Sequence, residues 1–412
     1  MTPAGAALRP VAPAVADLRT LSLVRERCES VLDAIARGDS AHFTLDRARL
    51  RDAADVTAAV TRERYPDLHI PYHSRWRHFE AGGVDRARAL ERALAGASRS
   101  DLARARIDLA VVSVLLDAGA GPRWRYVEPG SGATLTRSEG LGVASLHAFL
   151  AGAFSARRDA PCRVDAAALI ALDARRLAAI FQVRDDNPLV GLDGRVALLQ
   201  RLGRALADPV RFGGAGRPGA LYDLVAGDDA RSAVSAVALV DLLLARLSDI
   251  WPTGNAQDGV ALGDTWRHPG AGGTGPTAGW VPFHKLTQWL AYSLLEPFEW
   301  SGARVTDTAA MTGLPEYRNG GLMLDTGVLA LRDPSATARA WPVGSELIVE
   351  WRAATVVLLD ELAPLVRARL GRADLPLACI LEGGTWAAGR KLAAARRDGA
   401  PPLTLDSDGT VF

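Results

Sequence analysis

The sequence predicts a mainly α-helical protein with many helices and one or two small β-hairpins. Apolar residues recur at the three- and four-residue spacing of amphipathic helices over most of the 412 positions. Strand-like alternation is confined to two short stretches, around residues 124–136 and at the C-terminal tail. Hydrophobic residues make up 49% of the chain, which is enough for a sizeable core. We expect either one large domain or two lobes.

The charge and the cysteine content exclude several classes of protein. The net charge is +1 and acidic and basic residues are interleaved, so nucleic acid is not an expected partner. The cysteines Cys28, Cys162 and Cys379 lie far apart and lack the spacing of metal ligands, which is typical of a reducing, cytoplasmic setting. We find neither a signal peptide nor an apolar run of about 18 residues, so a membrane is not an expected partner either. No pattern indicates an oligomeric state.

The first half of the chain is predicted to form a helical N-terminal lobe over residues 16–228. It follows a segment rich in proline and alanine, residues 1–15, which we expect to be a flexible arm. Alternating residues around Pro129-Gly-Ser-Gly132 predict a small hairpin near 124–136. After a first helix that Gly38 ends, the periodicity predicts helices over 46–64, 85–97, 101–118, 138–153, 165–182 and 193–206.

Residues 64–83 gather histidines and arginines beside aromatic residues, in a segment that prolines interrupt. The side chains that could bind a ligand there are His69, His73, Arg75, Arg77 and His78. Three histidines allow a metal site, but their spacing fits no established zinc pattern and Pro71 breaks the helix that would align them. Arginines and histidines on a loop suit an anionic or flat polar ligand better. A loop that only packs its aromatic residues on the core is an equally good interpretation.

Residues 229–412 are predicted to form a helical C-terminal lobe that carries most of the site. A helix over 229–250 leads into a long irregular segment, residues 251–279, which we interpret as a lid. The strongest helical pattern of the chain runs from Glu346 to about Leu370. The tail is expected to close in a hairpin around Ser407-Asp408-Gly409.

A helix with Pro282 in its first turn is predicted to end at Pro297, and it contains one of only two lysines in a chain with 48 basic residues. Because arginine replaces lysine almost everywhere, a retained lysine indicates a position that needs a compact ammonium group. We therefore predict that Lys285 is functional. The alternative is an ordinary helix lysine that pairs with Glu296 or Glu299.

Several carboxylates lie near aromatic residues in the second half of the chain. They are Asp264, Glu316, Asp325 and Glu350. Such groups cleave glycosidic bonds, because one acid protonates the leaving group while another stabilises the sugar cation or activates water. The Gly-x-Ser-x-Gly and Gly-x-x-x-x-Gly-Lys motifs are absent, which argues against nucleophilic serine catalysis and nucleotide hydrolysis. Glu316 and Asp264 are the catalytic candidates.

Several segments resemble, in the right order, a bacterial and fungal family associated with uracil catabolism through opening of the pyrimidine ring. They read Ile70-Pro-Tyr-His-Ser-Arg-Trp-Arg-His-Phe79, Asp186-Asn-Pro-Leu-Val-Gly-Leu-Asp-Gly-Arg195, Trp280-Val-Pro-Phe-His-Lys-Leu-Thr-Gln288, Leu314-Pro-Glu-Tyr-Arg-Asn-Gly-Gly321, Glu350-Trp-Arg-Ala-Ala354 and Asp408-Gly-Thr-Val-Phe412. The resemblance covers nearly the whole chain. The pathway passes through ribosylurea or its phosphate and ends in free urea, so some protein must break the ribose–urea bond.

The C-terminal part is also similar to the queuosine-nucleotide salvage hydrolases, helical proteins of DNA-glycosylase-like shape that cleave an N-glycosidic bond. The residues that carry this similarity are Lys285 with Gln288, Glu316-Tyr317-Arg318, and Glu350 with Arg352. It implies a DNA-glycosylase-like helical architecture and a shared mechanism. The acid of the turn is Asp in that family and Glu316 here, one methylene longer, so the same substrate is not implied.

The two resemblances imply an N-glycosidase-type hydrolase that acts on a small nucleoside- or nucleotide-derived molecule, ribosylurea or its 5′-phosphate, and releases urea. Glu316 would act at the anomeric carbon or its attacking water. The expected substrate-binding residues are Lys285, Gln288, Tyr317, Arg318, Glu350, Arg352, His73, Arg75 and Arg77, and neither a cofactor nor a metal is expected. One alternative is a non-catalytic binding protein of the same pathway. The other is a metal-dependent amidohydrolase that uses His69, His73 and His78.

Overall fold

The computed structural model describes residues 12–117, 119–214, 216–226 and 233–406. It is mainly α-helical, as the sequence predicts. The helices are α1 Pro13–Asp17, α2 Leu21–Arg37, α3 Leu50–Arg64, α4 Trp76–Phe79, α5 Ala87–Ala93, α6 Arg99–Leu115, α7 Arg137–Leu150, α8 Ala166–Ile170, α9 Ala174–Ile180, α10 Leu192–Ala207, α11 Pro209–Phe212, α12 Ala220–Ala226, α13 Ala236–Leu247, α14 Lys285–Ser301, α15 Tyr317–Asp325, α16 Glu346–Leu370, α17 Leu377–Ile380 and α18 Trp386–Arg397.

The strands are short and pair two by two. The antiparallel pairs are β1 Phe43–Leu45 with β10 Leu329–Leu331, β2 Tyr126–Val127 with β3 Thr134–Leu135, β5 Ala256–Gln257 with β6 Val260–Ala261, and β7 Thr265–Arg267 with β8 Trp280–Pro282; the parallel pairs are β4 Ala233–Ser235 with β9 Arg304–Thr306, and β11 Ala340–Pro342 with β12 Thr404–Asp406. The hairpin predicted near 124–136 is confirmed. The predicted tail hairpin, at 407–409, lies outside the described residues.

The core runs through both predicted lobes. Helix α6 is buried on nearly all sides and packs against α14, while α16 packs against α2 and α3. Residues 107–115 of α6 are buried on all sides and mostly apolar, and such a segment is stable only in a protein interior, which explains the central place of α6. Buried side chains from Leu21 to Leu403 belong to one apolar cluster, and the lobe boundary at residue 228 stays a prediction. None of the helices in the described ranges has the length and apolar character that crossing a bilayer requires.

Helix α14 begins at Lys285, not at Pro282 as the sequence predicts. Residues 280–282 form β8 and pair with β7, so Pro282 is held in an extended strand. His284 then occupies the N-cap with a left-handed backbone, at φ 48°. This turn redirects the chain from strand to helix and places Lys285 in the first helical position.

The prediction that Pro297 ends this helix is wrong. A proline inside a helix leaves the carbonyl four residues earlier without its N–H donor. Here that carbonyl belongs to Ser293, and it accepts the indole N–H of Trp76 at 2.9 Å. This tertiary hydrogen bond replaces the missing one, and α14 continues to Ser301.

Two further predicted helices differ from the structure. The helix over 165–182 is divided into α8 and α9, because the carboxylate of Asp173 accepts the N–H of Arg176 at 2.7 Å and caps a new helix. The helix over 229–250 begins only at α13, since the residues before it form β4 and pair with β9.

Helices α15 and α18 approach each other closely at Gly389. A Cβ atom added there would lie 2.0 Å from the carbonyl oxygen of Arg318. Any larger residue would push the helices apart, so this glycine sets the position of the helix that Glu316 precedes.

Candidate active site

A cavity of about 230 Å³ opens between the start of α14, the start of α15, the end of α3 and the segment before α18. Its wall combines charged groups of both signs with aromatic rings. Among the side chains that line it are Arg64, His73, Arg77, His78, Asp117, Lys285, Trp289, Glu316, Tyr317, Glu382 and Trp386. A concave site with a few converging polar groups is the usual form of a small-molecule site.

Lys285 is held at this wall by a buried ion pair behind it. The carboxylate of Asp264 accepts the backbone N–H of Lys285 at 3.0 Å and both Nη groups of Arg352 at 2.9 and 2.8 Å. The indole of Trp266 adds a hydrogen bond of 2.7 Å. Burial alone would raise the pKa of Asp264, but the charge and hydrogen bonds of Arg352 outweigh it and lower that pKa. Asp264 therefore positions Lys285 and does not itself face the cavity.

Lys285 and Glu316 both line the cavity and influence each other's ionisation. Burial lowers the pKa of the Lys285 ammonium, and the charge of Glu316 is the largest effect that opposes it. Burial likewise raises the pKa of Glu316, against the hydrogen bonds it accepts and the charge of Lys285. Both shifts favour the neutral forms, because a low-polarity environment stabilises ions poorly.

Glu316 is also the N-cap of α15. Its two carboxylate oxygens accept the backbone N–H groups of Arg318 at 2.8 Å and Asn319 at 2.7 Å. These donors would otherwise be unsatisfied at the helix N-terminus. The cap fixes the direction of the carboxyl group and places Tyr317, the next residue, in the cavity wall.

Glu382 faces the cavity from a π-helical turn, Leu381–Thr385, just before α18. It is the acceptor for three side chains: His73 Nδ1 at 3.0 Å, Arg64 Nη2 at 2.8 Å and the hydroxyl of Tyr65 at 3.1 Å. Burial would raise the pKa of Glu382, but the hydrogen bonds and charges of His73 and Arg64 lower it to about 2. Glu382 is therefore ionised at neutral pH.

Glu382 was not among the site residues predicted from the sequence. Its only signal is an acid between an apolar run and two glycines, Gly383 and Gly384. The glycines allow a close approach of α3, since a Cβ atom on Gly384 would lie 2.5 Å from the carbonyl oxygen of Thr57. π-Helical turns are rare and often occur at functional sites.

Two ring nitrogens at the wall have no hydrogen-bond partner within the described residues. They are Nδ1 of His78 and Nε1 of Trp289, and both are buried. The two rings meet edge to face, with centroids 5.7 Å apart. Burial and the charge of Arg75 lower the pKa of His78 to about 3, so its ring is neutral. Buried polar atoms usually have partners, so these two nitrogens are exceptions among the described residues.

Comparison with known proteins shows the family to which this chain belongs. A family described as "Protein of unknown function (DUF1688)" matches residues 17–412. The chain belongs to this family. It is 39% identical over 437 residues to "Uracil catabolism protein 4" of Lachancea kluyveri, and the match covers 97% of this chain and 99% of that protein. It is also 39% identical over 410 residues to "Protein urg3" of Schizosaccharomyces pombe, with the same coverage. The resemblance to proteins named for uracil catabolism is confirmed.

In this DUF1688 chain, five of the predicted site residues line the cavity: Glu316, Lys285, Tyr317, His73 and Arg77. The others do not form its wall. They are Asp264, Gln288, Arg318, Glu350, Arg352 and Arg75. Each of these six side chains contacts other parts of the protein instead. Helical spacing in a sequence predicts which side chains share one face of a helix, but it does not predict what that face contacts.

The buried polar residues behind the wall hold the helices in place. Gln288 donates to the carbonyl of Phe283 at 2.9 Å, and its carbonyl accepts from Thr312 at 2.7 Å. Arg75 pairs with Asp117 at 2.6 Å, and its guanidinium lies 5.6 Å from the centre of the Trp289 ring.

The remaining two predicted substrate-binding residues, Arg318 and Glu350, also contact other parts of the protein. Arg318 donates to the carbonyl of Gly399 at 3.1 Å. Glu350 accepts from the hydroxyl of Ser40 and lies 3.3 Å from His268 Nε2.

The segment 251–279 and the histidines of 64–83 also differ from expectation. The segment packs on α16 through β7 and on α2 through the turn at 269–271, and none of its residues lines the cavity, so the structure does not place a lid there. His69 is exposed and pairs with Asp67 at 3.3 Å, whereas His73 and His78 face the cavity. The three histidines therefore do not form one metal site.

We expect Asp264→Asn to destabilise the protein by about 3–5 kcal/mol, because it leaves the buried guanidinium of Arg352 without its counter-ion. Guanidinium denaturation of both proteins measures the change. The control is Glu63→Gln, which removes the exposed pair with Lys391 at 2.7 Å and should leave stability unchanged. Equal effects of the two substitutions would show that the Asp264–Arg352 pair does not stabilise this region.

Proposed function

We propose that this protein acts in uracil catabolism, as an N-glycosidase-type hydrolase that releases urea from ribosylurea or its 5′-phosphate. The name of one relative, "Uracil catabolism protein 4", supports the pathway. The observation that supports the chemistry is one cavity with two buried glutamates whose pKa values are shifted in opposite directions, Glu316 upwards and Glu382 down to about 2. Pairs of acids separated in this way are typical of acid–base catalysis.

The reaction breaks the bond between the anomeric carbon of ribose and a nitrogen of urea. The bonding electrons move to nitrogen, which must gain a proton so that urea leaves as a neutral molecule. Water adds to the anomeric carbon and loses a proton. The site must therefore supply a proton donor, a proton acceptor and negative charge near the sugar cation.

We assign the proton donor to Glu316. Because burial raises its pKa, this carboxyl group keeps its proton at higher pH than an ordinary glutamate. This assignment places Glu316 at the leaving nitrogen and not at the anomeric carbon, where the sequence analysis expected it. Lys285 lies at the same wall and can hold a sugar hydroxyl or the urea carbonyl.

We assign the proton acceptor to His73, held by Glu382. Nδ1 of His73 lies 3.0 Å from the ionised carboxylate, so Nδ1 carries the proton and Nε2 offers its lone pair to water. His73 lines the same cavity as both acids, Glu316 and Glu382. The negative charge of Glu382 also favours a cationic sugar centre.

The aromatic side chains complete a site for a sugar. Trp289, Tyr317 and Trp386 line the cavity and can pack against the faces of ribose and urea.

The test is incubation of the purified protein with ribosylurea and, separately, with its 5′-phosphate. We expect free urea, and we expect Glu316→Gln to lower kcat/KM by about 10²–10⁴-fold, the usual contribution of a general acid. Because Glu316 must be protonated, kcat/KM should fall as the pH rises through its raised pKa, and this alkaline decline should be absent in the residual activity of Glu316→Gln. Absence of urea from both compounds at high protein concentration would refute the proposal.

A non-catalytic binding protein is a second candidate, because both oxygens of Glu316 are already engaged as the cap of α15. In that case ribosylurea would raise the melting temperature without turnover, and Glu316→Gln would change only stability. The same two measurements, urea release and thermal shift, distinguish the functions.

The lysine at the wall gives a further prediction. Lys285→Arg should lower urea release strongly, since a planar guanidinium is larger than an ammonium and cannot occupy the same place beside Glu316. The melting temperature should change little, because the side chain borders the open cavity. Lys391→Arg is the matched control, since Lys391 is exposed and pairs with Glu63 at 2.7 Å. If both variants keep full activity, Lys285 has no functional role.

A further inference from the structure

A second cluster of ionisable side chains lies away from the cavity, at the start of α16. It consists of His42, Glu346 and Glu350, and their ligand atoms all lie within 4.8 Å of one another. None of the three lines the cavity described above. One imidazole nitrogen and two carboxylate oxygens are a donor set that suits a divalent transition metal.

Local structure explains why these side chains meet. Glu346 and Glu350 are four residues apart in the first turns of α16, so they lie on the same face of the helix. His42 directly precedes β1, and the hydroxyl of Ser40 accepts the N–H groups of His42 and Phe43 at 2.9 Å each. The same hydroxyl donates to Glu350, which ties this loop to the helix.

A buried histidine on a third segment is directed at the cluster. His268 is only 5% exposed, and its Nδ1 accepts the N–H of Gly270 at 3.0 Å, so its Nε2 carries the proton. That Nε2 lies 3.3 Å from Glu350 Oε2, and it has no hydrogen-bond partner of good geometry in the described ranges. Carboxylates that bind a metal are commonly oriented by hydrogen-bonding groups behind them.

The charges of the cluster favour a cation. Two glutamates at i and i+4 repel each other, and burial of the Glu350 carboxylate costs free energy unless a positive charge compensates it. We propose that His42, Glu346 and Glu350 bind one divalent transition-metal ion such as Zn²⁺ or Mn²⁺, with His268 behind Glu350. The ion joins the loop before β1, α16 and the segment that carries His268. It is a structural site, separate from the proposed chemistry.

The test is calorimetric titration of the chelator-treated full-length protein with Zn²⁺ and with Mn²⁺, together with its melting temperature. We expect one ion per chain for at least one metal and a higher melting temperature in its presence. His42→Ala and Glu346→Gln should each weaken binding at least about 10-fold, because each removes one of three protein ligands.

The control is His69→Ala, which removes an exposed histidine outside the cluster and should leave metal binding intact. The proposal is overturned if neither metal binds at one ion per chain. It is also overturned if His42→Ala and Glu346→Gln bind as tightly as the His69→Ala control, since the ion would then sit elsewhere.

Discussion

The ion pair between Asp264 and Arg352 connects the parts of the chain that form the cavity. Asp264 belongs to the segment before β7, Arg352 belongs to α16, and the N–H that Asp264 accepts belongs to the first residue of α14. Both side chains are buried, so their desolvation cost must be offset by their attraction and by hydrogen bonds. The carboxylate of Asp264 accepts four of these, from two Nη groups, an indole N–H and a backbone N–H. The direction of α14, and with it the place of Lys285, follows from this arrangement.

The cavity shows how environment shifts the pKa values of two glutamates in opposite directions. Glu316 accepts two backbone N–H groups and faces Lys285, yet burial still raises its pKa. Glu382 is also buried, but His73, Arg64 and Tyr65 surround its carboxylate, and its pKa falls to about 2. At Glu382, Arg64 and His73 together outweigh the effect of burial on the pKa of the carboxyl group. At Glu316, Lys285 does not outweigh it, and the pKa of Lys285 is itself lowered by burial. The proposed division into a proton donor and a permanent anion rests on this difference.

The sequence predicted the helices well where apolar spacing is long and regular, as in α16, and it selected Lys285, Glu316 and His73 at the wall. It did not predict that α14 passes through Pro297, because the compensating donor, Trp76, comes from a distant segment. Glu382 was missed for the same reason, since its partners are far away in sequence. Asp264 was selected for its chemistry, but only the structure shows that Arg352 holds its carboxylate away from the cavity.

The most direct measurement of the two glutamate states is a pH titration of carboxyl infrared bands. Difference spectra of the unmodified protein against Glu316→Gln isolate the band of Glu316, and those against Glu382→Gln isolate the band of Glu382. We expect Glu316 to lose its proton clearly above the usual value of about 4.3, and Glu382 to stay ionised down to about pH 2. Titration of both groups together near the usual glutamate value would contradict the proposed roles of the two acids.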